Sequence, residues 1–260
     1  MVPGHTRASD TSPSHARPPL ARRQIIDKRD GSVRVVEGAG FIYGHLLNAY
    51  EEADDIVLDL TWYAAGNATT LGWFNRWFLA NMQDAGVRES WPRAKAMRFR
   101  LRAAAATVES SELFAAEGGR NDFETPKVNE LYSGQPYCIV YMMQFHSYPY
   151  HLDPASTRSG PMGAVGIAKR NLCTGERSGW YQPNEYPSEV QFVPDPRRRS
   201  EDDGVLLSMV FDAKANASYF QVLDARTMRR LSRAELPIKT PFLIHASYFP
   251  GAPPAAARVS

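Results

Sequence analysis

The chain is poor in cysteine. Only Cys138 and Cys173 occur in 260 residues, too few and too far apart for a zinc motif or a disulfide framework. The expectation is two free thiols in a reduced, cytosolic compartment. Long hydrophobic runs are also missing. None approaches the roughly 18 apolar residues that a membrane-spanning helix needs, and the N-terminal stretch has no apolar core of a secretory signal. Neither charge sign dominates, since 30 Lys and Arg face 28 Asp and Glu for a net +2. That balance gives no electrostatic reason to expect nucleic acid as a partner. No WD-like or kelch-like sequence repeat is present. What is present is ordinary globular material, with 43% hydrophobic residues, enough for one or two domains.

Punctuation along the chain sets its organisation. Residues 1–23 are rich in Pro, Ser, Arg and His and nearly free of large apolar side chains, so they are expected to be a disordered extension. Their Arg and Ser content resembles a mitochondrial transit peptide, an alternative to a cytoplasmic location. From Gln24 the pattern is of short strands. Asp30-Gly31 between two β-branched runs predicts a hairpin. Ile56–Trp62 reads as a buried strand. Ala96–Leu101 alternates Met97, Phe99 and Leu101 with Arg98, Arg100 and Arg102, the period of a half-exposed strand. Further strands are expected at Tyr137–Tyr141, Gly163–Lys169, Val190–Val193, Val205–Phe211, Tyr219–Asp224, Arg233–Pro237 and Phe242–Ala246. One segment, Leu71–Ala85, has helical spacing. Its Trp73, Phe74, Trp77 and Phe78 fit packing on the sheets or an apolar patch near a membrane surface. The fold class is therefore all-β with a helical insertion, a sandwich, barrel or propeller.

Six histidines are available for chemistry. His5 and His15 lie in the N-terminal extension. His146 and His151 lie in an aromatic loop, at a spacing that does not share one helical face. His45 and His245 are set among apolar and aromatic residues, where a ring nitrogen needs a partner. On the residues alone, a core histidine satisfied by a backbone carbonyl is the better reading of each. Glu124 and Glu189 read alone as solvated turn carboxylates beside proline. The run Glu201-Asp202-Asp203 reads as a solvated turn before a strand.

Larger blocks change that weighting. His45-Leu-Leu-Asn-Ala-Tyr-Glu-Glu52, Phe123-Glu-Thr-Pro-Lys-Val-Asn129, Tyr186-Pro-Ser-Glu189 and Phe242-Leu-Ile-His-Ala-Ser-Tyr-Phe-Pro250 stand in this order. Leu223-Asp-Ala225 and Arg233-Ala-Glu-Leu-Pro237 lie between the last two. Together they resemble the C-terminal part of the carotenoid oxygenases, the family of β-carotene cleaving dioxygenases and the retinal pigment epithelium retinoid isomerase. The resemblance runs from about Gln24 to Pro250, leaving residues 251–260 as a tail. It implies part of a seven-bladed β-propeller. It implies an Fe(II) site with His45 and His245 as ligands, Glu124 orienting His45 and Glu189 orienting His245. Neutral imidazoles suit iron(II), and a carboxylate on the outer N–H of a ligating ring fixes its tautomer.

The implied activity is cleavage of a carotenoid or apocarotenoid double bond by dioxygen. The implied partners are a lipophilic polyene and a peripheral membrane surface. Retinoid isomerisation and a non-catalytic, β-rich interaction protein are the alternatives. The chain also departs from the family pattern. The family's site uses four histidines, and no motif here supplies the first two or the first orienting glutamate. Val190 stands where proline is usual and Ala246 where glycine is usual. The chain is thus expected to be incomplete as a catalyst on its own.

Overall fold

A computed structural model describes residues 20–63, 94–102, 106–115, 123–145, 165–240 and 245–249. The helix expected at Leu71–Ala85, its aromatic cluster, and His5, His15, His146 and His151 lie outside them. Within the described residues the structure is β throughout, apart from one short 3-10 turn at Glu130–Tyr132.

The hairpin is where Asp30-Gly31 put it. Strand β1 (Leu20–Ile26) pairs with β2 (Val33–Ala39), and Gly31 turns the chain with φ of 73°, a conformation open to glycine. Because β1 starts at Leu20, the expected boundary after Arg23 falls inside a strand. Three antiparallel sheets follow. The first is β3 (Ile42–Glu52), β4 (Asp55–Tyr63), β5 (Lys95–Arg102) and β6 (Thr107–Glu112), in that order. The second is β7 (Phe123–Lys127), β8 (Ile139–Phe145), β9 (Val165–Asn171) and β10 (Arg177–Trp180). The third is β11 (Glu185–Pro187) and β12 (Gln191–Pro194), both on β13 (Gly204–Asp212), then β14 (Ala217–Asp224) and β15 (Arg230–Glu235). Each sheet is a meander, which keeps sequence neighbours adjacent.

The sheets stack face to face, and β8 shows why. All seven of its residues are buried, the signature of a strand covered on both faces. Its even positions Val140 and Met142 join Leu47, Tyr50 and Val57 of the first sheet. Its odd positions Ile139 and Tyr141 join Leu206, Val210, Tyr219 and Leu223 of the third. The period of two along one strand therefore feeds two cores. The hairpin covers the outer face of the first sheet, where Phe41 stacks on Phe99 with ring centroids 4.6 Å apart and Arg23 lies over Phe41.

Two expectations are corrected here. Cys138 and Cys173 are not free thiols but a disulfide, with Cα atoms 5.3 Å apart. The β8–β9 register sets Ile139 opposite Asn171 and so brings the two flanking cysteines together; the inference of a reducing compartment falls with it. The acidic run is not a solvated turn either. Glu201 accepts hydrogen bonds from the backbone N–H groups of Cys138 (2.9 Å) and Ile139 (2.7 Å), capping the start of β8 from the third sheet. Burial pushes the Glu201 carboxyl up, and those two amides oppose the shift. Asp202 accepts from Lys169 at 2.6 Å. Most of the strand expected at Phe242–Ala246 lies outside the described residues, and its His245 and Ala246 belong to no ladder among them.

A buried ion pair within the first sheet is tied to the segment before β8. Asp59 is fully buried and accepts from Arg98 at 2.9 and 2.7 Å and from Tyr137 Oη at 2.8 Å. The Asp59 carboxylate holds Arg98 above its ordinary range. Asp59→Ala leaves the guanidinium and the phenol without their acceptor. It is expected to destabilise the chain by on the order of 3 kcal/mol, read as a lower urea midpoint with an unchanged slope.

Candidate metal centre

A regular strand turns adjacent side chains to opposite faces, so aiming one residue out of phase requires an extra residue. The first strand of each sheet has one. In β3 the register slips between Tyr43 and Leu46 and again between Leu46 and Asn48, and His45 sits in the first slip. Its backbone N–H, displaced from the ladder, donates to Thr61 Oγ1 at 2.7 Å. In β7 the register slips between Glu124 and Lys127. Thr125 there adopts φ of 48°, a strained left-handed conformation for a β-branched residue, and Pro126 has no N–H to leave unpaired. In the third sheet Pro187 pairs with Val210 and Gln191 with Leu207. The link between β11 and β12 therefore holds one residue more than the strand opposite, and Glu189 lies in that link.

These displacements bring four side chains together. Nδ1 of His45 lies 2.5 Å from Glu124 Oε2, and Nδ1 of His245 lies 3.2 Å from Glu189 Oε2. An ionised carboxylate only accepts, so the proton of each neutral ring is assigned to Nδ1, which leaves a lone pair on both Nε2 atoms. The two Nε2 atoms are 3.5 Å apart, with the rings inclined at 69°. The residues singled out in the sequence therefore meet as two imidazole–carboxylate pairs. Among the described residues no group of three or more His, Cys, Asp or Glu side chains converges as a complete metal cage.

The carboxylates are themselves held. Glu124, 6% exposed, takes hydrogen bonds from Thr61 Oγ1 and the Thr125 N–H, each at 3.2 Å, and from the Tyr63 hydroxyl. Glu189, 5% exposed, takes the Ala246 N–H at 3.1 Å on Oε2 and Lys127 Nζ at 2.9 Å on Oε1. The hydrogen bond to Glu124 holds His45 above the ordinary imidazole range, and burial of the ring opposes that shift. Thr61, Tyr63 and Lys127 escape a reading of the sequence, because their partners lie 63, 61 and 62 positions away. Period-2 patterning on β4 was the one available signal, and it marks burial only.

Two lone pairs facing each other at 3.5 Å repel unless a cation lies between them. Metal–imidazole bonds of about 2.0–2.1 Å span such a gap. The donor set thus fits a borderline metal ion that prefers nitrogen. Gly44 completes the cradle: a Cβ there would lie 2.9 Å from Glu124 Cδ and closer still to Oε1.

Comparison with known proteins bears on this geometry. The family model described as retinal pigment epithelial membrane protein, RPE65, matches residues 14–250. A carotenoid isomerooxygenase of Galleria mellonella is 31% identical over 236 residues, 87% of this chain and 42% of that protein. An apocarotenoid-15,15'-oxygenase of Synechocystis is 32% identical over 230 residues, 86% of this chain and 42% of that protein. The crystal structure of cobalt-substituted Synechocystis apocarotenoid oxygenase superposes with a TM-score of 0.68 at 24% identity, over 88% of this chain and 43% of that one. At that identity the likeness establishes the fold, part of the carotenoid oxygenase β-propeller. The chain spans about two fifths of the length of the relatives it matches.

Gly44→Ala is expected to push Glu124 off His45. The midpoint of His45, followed by its ring C–H resonances, should then fall from above the ordinary value of about 6.5 to that value or below, because burial remains. The sign carries to stability. A raised histidine pKa stabilises the fold fully below the unfolded value, and this contribution is lost as pH rises through the folded one. The substituted chain should therefore lose stability at acid pH relative to the unmodified chain, and less at alkaline pH.

Proposed function

The chain belongs to the RPE65 and carotenoid oxygenase family, and from that premise we propose that it carries the His45/His245 half of an iron(II) centre for oxidative cleavage of a carotenoid or apocarotenoid. What supports this reading is one observation: two Nε2 lone pairs 3.5 Å apart, each ring held by a glutamate on its far nitrogen. When bound, iron(II) supplies activation of dioxygen, whose two oxygen atoms end in the two carbonyl products of the cleaved carbon–carbon double bond.

The residues of this chain do the preparatory work. Glu124 and Glu189 keep the proton on Nδ1 of His45 and His245, so each Nε2 stays free to donate. Thr61 and Tyr63 prevent the Glu124 carboxylate from rotating. Two histidines are half of the four that the family resemblance implies, and a site with two protein ligands holds a metal weakly. The polyene would lie against apolar walls, which exclude water from the centre.

The test is reconstitution. These 260 residues alone, with ferrous iron and oxygen, are expected to give no aldehyde from β-carotene or an apocarotenal. Together with the N-terminal part of a relative that carries the other two histidines, they should bind about one equivalent of iron and form aldehyde. His45→Ala and His245→Ala should each abolish both, a loss of at least 10–100-fold in metal affinity. Iron binding that is indifferent to both substitutions would overturn the metal reading. Turnover by the lone chain that disappears in both variants would overturn the two-ligand count.

A further inference from the structure

The bulge in β7 aims two side chains at the centre, and the metal reading uses only one. Glu124 turns to His45. Three residues on, Lys127 turns to the opposite pair and meets Glu189 Oε1 at 2.9 Å. The two oxygens of Glu189 thereby have separate duties, since Oε2 takes His245 Nδ1 and the Ala246 N–H. The Glu189 side chain is 5% exposed, whereas the His245 side chain is 68% exposed. A buried carboxylate with one oxygen unpartnered is costly and turns to find a donor. Among the described residues His245 belongs to no strand ladder, and the contacts of its ring there are with Glu189 and His45.

We propose that Lys127 is a positioning residue of the metal centre: its ammonium pins Glu189 so that His245 keeps Nδ1 protonated and its Nε2 lone pair turned to His45. This rests on the metal reading above and deepens it. One strand then serves both imidazoles, His45 directly through Glu124 and His245 through Lys127 and Glu189. Removing the ammonium frees Glu189 Oε1. The carboxylate rotates, the 3.2 Å bond to His245 is lost, and the ring reverts to the tautomer of free imidazole, with the proton on Nε2. That tautomer has no lone pair on Nε2, the nitrogen turned to His45.

The tautomer is readable without metal or turnover. In long-range proton–nitrogen spectra of the metal-free 260-residue chain, recorded at a pH above the midpoints of both rings, each ring reports which nitrogen carries the proton. The unmodified chain should show His45 and His245 with the proton on Nδ1. In Lys127→Met, His245 should go from a majority to a minority of that form while His45 keeps it. Lys127→Arg, which preserves the ion pair, should restore it. An unchanged His245 in Lys127→Met, with His45 as the control for an intact fold, would overturn the assignment and leave the metal reading standing. If the Met variant does not fold, the unmodified chain still decides. A scalar coupling between Lys127 Nζ and the Glu189 carboxyl carbon is expected, and its absence would overturn the pinning. Metal binding indifferent to His45→Ala and His245→Ala would instead remove the centre itself, whatever Lys127 does.

Discussion

A neutral imidazole has one proton and one lone pair on its ring nitrogens, and whatever holds the first decides where the second points. The centre of this molecule follows from that constraint. For two rings to face each other through Nε2, both need an acceptor behind Nδ1. A carboxylate is the strongest such acceptor, but a carboxylate buried beside apolar blades needs donors of its own. Glu124 receives them from Thr61, Tyr63 and the Thr125 amide, and Glu189 from Lys127 and the Ala246 amide. The donors come from β4, from β7 and from the segment after β15, so the requirement of one proton position reaches across three sheets.

The backbone meets the same requirement through register slips. A first strand has to pack its neighbours with one set of side chains and still turn a chosen side chain inward. Regular alternation cannot serve both demands at arbitrary positions, and an extra residue resets the phase. His45, Glu124 and Glu189 each lie at such a reset. The strained φ of Thr125 belongs to this arrangement. Its cost falls on β7, the strand whose Glu124 and Lys127 reach both halves of the centre, and the buried network around it holds it in place.

Legibility in the sequence divides along this line. Strands β4, β5, β8, β13 and β14 could be read because apolar runs or apolar alternation between turn signals mark them, and Asp30-Gly31 announced its hairpin. The bulged strands β3 and β7 carried no usable period, and neither did β11, because the register slips that aim their side chains also break the alternation. His45 and His245 read alone as satisfied core histidines; only the blocks around them, through family resemblance, joined residues 200 positions apart. The misreadings share one cause. Glu201 looked solvated because the amides it caps lie 62 and 63 positions earlier. The cysteines looked unrelated because the β8–β9 register, not their spacing, brings them together. Asn48 was quoted within a motif without a role, yet its side chain holds the carbonyls of Tyr132 and Gln135 and the Gly134 N–H, fastening β3 to the turn before β8.

The two halves of the centre are not equivalent, and the difference has a physical consequence. The His45 side chain is 30% exposed, lies in a strand, and sits 2.5 Å from a carboxylate with three further donors. The His245 side chain is 68% exposed, lies outside any ladder, and sits 3.2 Å from its carboxylate. The first ring is placed by the fold before any metal arrives. Among the described residues the second is held by one carboxylate, which depends in turn on an ammonium and a single amide. If the pair binds a metal as proposed, part of the binding free energy would be spent on ordering the segment around His245, in the way that metal binding and folding are coupled elsewhere. Affinity would then be more sensitive to the supports of Glu189 than to those of Glu124, although Glu124 has more of them. In such a centre the looser ring would be the limiting one, and the support that Lys127 gives Glu189 would set how well that ring is held.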